Sequence, residues 1–144
     1  MDMAQDEEAD EAGWNSWQNA VPPYPTDWQR PHLNPKEKDT VIRAQKFAAT
    51  AEHVAAAETF ERQIPYTQSA VGQYFAAEAS TYYLKAKKYG LAIKVANRCV
   101  GLSAQNTPHL SRCYCELGKA YQDQGDREKS QRAYEKAARL NGKR

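Results

Sequence analysis

The residues able to do chemistry are few. Three histidines (His32, His53, His109) and three cysteines (Cys99, Cys113, Cys115) are spread over 144 residues. None of the histidines has a second ligand type at metal-binding spacing beside it. Cys113 and Cys115 stand two apart on a predicted helix, about 200° around the axis, so they face opposite sides and cannot chelate one ion together. No glycine-rich loop follows a strand to cradle a phosphate, and no spacing favours a Cys–His nucleophile pair. The sequence thus points to no catalytic residue, no cofactor, no metal and no small-molecule substrate; we read a non-enzyme. An odd, small number of cysteines argues against a disulfide scaffold and for a cytoplasmic or other reducing intracellular compartment. No window approaches the ~18 consecutive apolar residues of a membrane helix, and the first twelve residues lack the apolar stretch of a secretory leader.

The chemistry that remains is recognition. The formal net charge is only +2, but residues 1–36 hold seven acids and two bases, a net of −5, which leaves +7 on the rest. All three tryptophans (Trp14, Trp17, Trp28) lie in that acidic stretch with Tyr24, as do five of the seven prolines. Each proline removes a backbone donor and turns its predecessor away from helix, so residues 20–35 read as extended. Disordered tails are poor in aromatics, whereas Trp and Tyr dominate interface hot spots. Two uses fit Trp14, Trp17, Tyr24 and Trp28: folding back onto the body, or anchoring a partner. In the body, Lys85, Lys87, Lys88, Lys94 and Arg98 gather around one helix turn, where they could meet RNA phosphates or an anionic membrane surface. Nucleic-acid binding ranks well behind protein binding, because the neighbouring tyrosines are better used as core.

Helices must position these groups. From Glu37 to Ile64 there is neither Gly nor Pro, and apolar residues recur every three to four positions from Val41 to Phe60. This spacing predicts one long amphipathic helix over 37–65 that starts at Asp39 or Thr40 and caps the N-terminal side of the body. Two helices follow at about 68–86 and 89–102. Thr107-Pro108 offers an N-cap with proline at the first helical position, opening a helix to Gln124. Gly125-Asp126 is a turn with a glycine stop and an aspartate cap, and the last helix ends at Asn141-Gly142.

The second of these pairs, SRCYCELGKAYQDQGDREKSQRAYEKAARLNGKR, resembles the tetratricopeptide repeat, a 34-residue helix hairpin. Tyr114, Leu117, Gly118, Tyr121, Tyr134 and Ala137 stand at its large and small positions. The template also lies, more weakly, on residues 73–106, through Tyr83, Ala92 and Ala96. In 37–65 no interhelical turn is visible, so two repeats are counted, about 73–106 and 111–144. The fold class is all-α: a short antiparallel helix-hairpin solenoid with an extended tail (1–36), a long helix (37–65) and two helix pairs (66–144).

The resemblance implies a groove lined by the first helix of each pair. Its positions are Tyr74, Ala77, Thr81 and Leu84, then Arg112, Cys115, Lys119 and Gln122. It implies a module that binds one or more proteins, as an adaptor or as a structural subunit of a larger assembly. An assembly factor or cochaperone is the nearer alternative, and a basic RNA- or membrane-surface binder the more distant one. About three repeats and polar ends are the usual requirement for a stable solenoid. With two repeats and no capping helix after LNGKR, two readings of the final helix stand: Arg127, Lys129, Arg132, Lys136 and Arg139 solvate it, their stems covering apolar surface, or its face docks another subunit or a second copy, a route to self-association.

Overall fold

Asn34 and Glu37 start the helical body together. The Asn34 side chain accepts from the Glu37 amide at 2.8 Å and the Glu37 carboxylate accepts from the Asn34 amide at 2.9 Å, a capping box that satisfies two otherwise orphaned donors. Pro35 occupies the first turn, where its missing donor costs nothing. The helix therefore begins ahead of Asp39 and Thr40, the caps anticipated from sequence. In the computed structural model, which describes residues 17, 19–102 and 106–144, the described residues form six α-helices: α1 Pro35–Ala49, α2 His53–Glu61, α3 Ser69–Lys85, α4 Tyr89–Val100, α5 Pro108–Gln124 and α6 Arg127–Gly142. A short 3-10 turn, Ile64–Tyr66, joins α2 to α3. Just before α3, Thr67 gives its hydroxyl to the Ile64 carbonyl.

The expected single helix over 37–65 is corrected to two. The break is a left-handed residue, Ala51, at φ 60°. The Ala51 amide bonds back to the Ala48 carbonyl and the Glu52 amide to the Phe47 carbonyl, the pairing of a Schellman stop. The same pair of bonds recurs around Lys87 (φ 58°), from Lys87 to Leu84 and Lys88 to Tyr83, and around Gly125 (φ 84°), from Gly125 to Gln122 and Asp126 to Tyr121. The described residues thus hold three helix hairpins turned by one device. Counted from each left-handed residue, Ala44, Ser80 and Gly118 correspond, as do Ala56, Ala92 and Ser130, and then Phe60, Ala96 and Tyr134.

These positions explain the packing. Ser80 and Ser130 each give a hydroxyl bond across their own hairpin, to the Ala92 and Gly118 carbonyls. A Cβ on Gly118 would sit 2.4 Å from the Tyr134 ring, so only glycine lets α5 and α6 approach with that ring between them. Each helix packs on the next, and α3 also lies on α5, the first helices of successive pairs side by side. Phe60, Phe75, Tyr83 and Val95 are fully buried where the hairpins meet. Among the described residues no helix is long and apolar enough to cross a membrane.

Two further expectations are corrected. Cys99 on α4 and Cys113 on α5 form a disulfide, leaving Cys115 as the buried free thiol. The bond joins the second hairpin to the third, and packing rather than sequence spacing brings the two sulfurs together. It also removes the cysteine argument for a reducing compartment. Second, part of the C-terminal end of the array is covered. Trp17 and residues 19–34 form a strap without regular structure beyond Trp17 that crosses the last hairpin. The Asn141 amide group donates to the Pro23 carbonyl at 2.8 Å. Arg144 grips the Asp27 carboxylate with two nitrogens at 2.9 and 2.8 Å. The chain's own N-terminal side thus occupies part of the end left open in the sequence reading, while Arg127, Arg132, Lys136 and Arg139 of α6 stay exposed.

Candidate functional site

Helix α5 presents separate rows of side chains, because residues three and four apart share a face. One row turns to its partner α6 through Ser111, Gly118 and Ser130 opposite. Another, from His109 through Arg112 and Glu116, meets the strap. Gln122 ends this surface. Its amide donates to the carbonyls of Trp17 at 2.9 Å and Ala20 at 3.3 Å, while its oxygen accepts from the Tyr134 hydroxyl at 2.6 Å. One turn and a half nearer the start of α5, the Tyr24 hydroxyl donates to Glu116 at 2.5 Å. At the start of α5, Trp28 packs against His109 and Tyr74, with ring centroids 5.9 and 6.1 Å apart. The strap therefore runs antiparallel to α5, and its contacts continue onto α3.

Charge in the groove is tightly arranged. Arg112 pairs with Glu78 at 2.6 Å, donates to the Thr81 hydroxyl at 3.1 Å, and lays its guanidinium 5.6 Å from the Trp28 ring centre. Such a cation over an indole face is worth about 0.5–2 kcal/mol, more where water is excluded. Glu116 is 2% exposed. Burial pushes its carboxyl above the usual range, against the hydrogen bonds from Tyr24 and Thr81 and the nearby Arg112. Burial, then the neighbouring Glu116, likewise raises Tyr24. His109 is also buried; desolvation and the Arg112 charge hold it down to about 4, against a hydrogen bond to the Gln29 backbone. The Cys115 thiol is pushed up to about 12 by burial and by Glu116, so it is no nucleophile at neutral pH.

The groove residues named from sequence are brought together in part. Tyr74 and Gln122 are buried under the strap, and Thr81 and Arg112 are half-buried beside it. Lys119 lies on the rim, paired with Asp123 at 3.5 Å. Of the aromatic quartet, Trp17 is buried against α5, Tyr24 and Trp28 sit in the groove with 45% and 39% of their surface exposed, and Trp14 lies outside the described residues. Two open cavities flank Tyr24. One of about 260 Å³ is bounded by Pro25, Trp28, Glu78 and Arg112, and the other, about 220 Å³, by Leu84, Lys85, Lys119 and Asp123.

Sequence reasoning missed Glu116, Asn141 and Arg144. A glutamate in mid-helix reads as a solvated charge, and nothing in the sequence pairs it with a tyrosine ninety residues away. Of the repeat positions named from sequence, Tyr83, Ala92, Ala96, Leu117, Gly118 and Ala137 are buried, and Tyr114, Tyr121 and Tyr134 are half-buried. The Tyr114 and Tyr121 rings lie under the ammonium groups of Lys136 and Lys129, whose stems cover their apolar faces.

Comparison with known proteins bears on the last hairpin. Residues 111–144 match the tetratricopeptide repeat family model, the stretch in which the sequence carries that resemblance. No curated protein and no solved structure matches the chain. A repeat of this family is in general a protein–protein interaction element.

Proposed function

We propose that this chain is a non-catalytic protein-interaction module, an adaptor or structural subunit of a larger assembly, whose concave groove between α3 and α5 receives extended peptide. The observation that carries the reading is that the groove already holds one: the strap, met by side-chain donors, a buried carboxylate and a cation over an aromatic ring. Those groups read a peptide's backbone and its aromatic side chains, which is the chemistry of a peptide receptor. The half-exposed Tyr24 and Trp28 add an aromatic ridge to the same surface, of the residue types that dominate interface energetics.

The test is cross-linking and co-purification of the full-length chain from its source extract, against a Leu84→Glu/Lys119→Glu variant. Both residues line the cavity beside Tyr24. A set of proteins recovered with the wild type and lost with the variant supports the reading. Equal recovery by both chains contradicts it. A nuclease-sensitive catch that weakens steeply with salt favours the RNA reading instead, through the exposed lysines at the α3–α4 turn.

A further inference from the structure

We propose that the groove's external ligand is a proline-rich segment of a partner protein carrying Tyr-Pro-x-x-Trp, and that residues 22–30 of the chain hold its place until displaced. This rests on the interaction reading above and names the partner for the same site.

The seat meets residues 22–30 at four points, of which the Tyr24 and Trp28 contacts carry the most side-chain chemistry. Side chains aimed at the strap's backbone are donors meeting carbonyls: Asn141 on Pro23 within residues 22–30 and, just upstream of them, Gln122 on Trp17 and Ala20. Proline offers a carbonyl and no N–H, so a proline-rich peptide satisfies these donors without leaving its own donors orphaned in the groove. The Glu116 carboxylate, 2% exposed, takes the Tyr24 hydroxyl; phenylalanine there would strip a buried acceptor of its donor. The Trp28 ring is bracketed by Tyr74, His109 and the Arg112 guanidinium, which lysine or an aliphatic side chain could not answer. Between them Asp27 meets Arg144.

Residues 22–30 fill this seat incompletely. Tyr24 keeps 45% and Trp28 39% of its surface exposed, and cavities of about 260 and 220 Å³ remain open on either side of Tyr24. The tether gives the strap an effective concentration on the order of millimolar. A separate peptide displaces it by adding contacts in those cavities, and the identical peptide, lacking them, binds weakly while the strap is in place.

The experiment uses the full-length chain with Tyr24→Ala/Trp28→Ala, which leaves Trp17 seated over the last hairpin, with folding checked by circular dichroism. A synthetic peptide of residues 22–30 is titrated by calorimetry. The expected result is binding to the variant at least tenfold tighter than to the wild type, and at least tenfold weaker when the peptide's tyrosine is phenylalanine. In the wild type, millimolar peptide should raise hydrogen exchange across residues 19–30. Absence of binding to a folded variant, equal binding of a scrambled peptide, or unchanged wild-type exchange overturns the proposal. A peptide library panned on the same variant separates the two readings. Other sequences captured in a Lys119-dependent way overturn the ligand class and leave the interaction role standing. No capture at all overturns both.

Discussion

The first and last hairpins turn on the same hydrogen bonds and finish their outer faces in opposite ways. At the N-terminal end, α1 buries Thr40, Val41 and Ala44 and turns Lys38, Asp39, Arg43, Gln45 and Lys46 outward. This outward face is mostly polar, with Ile42 and Phe47 exposed among the charges, and it stands uncovered by the other described residues. At the C-terminal end, Gln122 of α5 and Asn141 of α6 meet the strap, which runs on over Glu116 and His109 into the groove. That surface is neither polar enough to solvate freely nor apolar enough to pack alone. The strap covers it, and in doing so reaches the groove. The difference shows why an extended, proline-rich segment belongs to the fold: one end of the array depends on it and the other does not.

The largest expected effect breaks the C-terminal side. Trp17 is 6% exposed, and Trp17→Ala should cost about 3–5 kcal/mol by the large-to-small rule, read as a fall in the denaturation midpoint. Ile42→Ser, on the half-exposed face of α1, should stay within about 0.5 kcal/mol. Equal losses from the two would erase the contrast between the ends.

Acid should separate the ends next. Burial holds the folded His109 down to about 4 from its usual 6.5. The unfolded chain therefore takes up a proton at His109 before the folded one does. The stability this residue contributes is complete above about pH 6.5 and is lost as pH falls toward 4, by about 3 kcal/mol at most. Glu116, raised by burial, has the opposite sign: its contribution fades as pH rises through its folded value. His109→Phe should flatten the loss between pH 6.5 and 4 in urea melts recorded across that range; an unchanged slope would remove His109 as its source.

A smaller effect tests the close approach in the last hairpin. Gly118→Ala puts a methyl against the Tyr134 ring and should cost about 1–3 kcal/mol through overpacking. Restoring room with Gly118→Ala/Tyr134→Leu should recover part of it, as a double-mutant cycle measures.

The smallest effect concerns the shared turn. Gly125→Ala places a side chain in the left-handed region and should cost about 1 kcal/mol, whereas Ala51→Gly relieves that strain and should stabilise by a similar amount. Thermal melts of opposite sign are expected. Two shifts of the same sign would mean that the turns are not equivalent.

These hairpins also mark what a sequence makes legible. Gly118, Gly125 and Tyr134 announce the last pair because each is a residue type that its position demands. Ala51 and Lys87 adopt the same left-handed geometry without the glycine that signals it, so the first hairpin reads as one helix and its turn is invisible. The strap's composition stands out in the sequence, yet its seat does not. Glu116, Asn141 and Arg144 look like ordinary polar surface residues until α5 and α6 are set beside it. Cys99 and Cys113 meet only because α4 packs on α5, a relation that spacing along the chain does not carry.

The account depends most on the strap lying in the groove in solution. Nuclear Overhauser contacts from the Trp28 indole test it directly. The structure places its ring centre 6.1 Å from that of Tyr74 and 5.9 Å from that of His109, so cross-peaks to both rings are predicted in the full-length chain at neutral pH. A Trp28 indole with contacts only to its sequence neighbours would contradict the account.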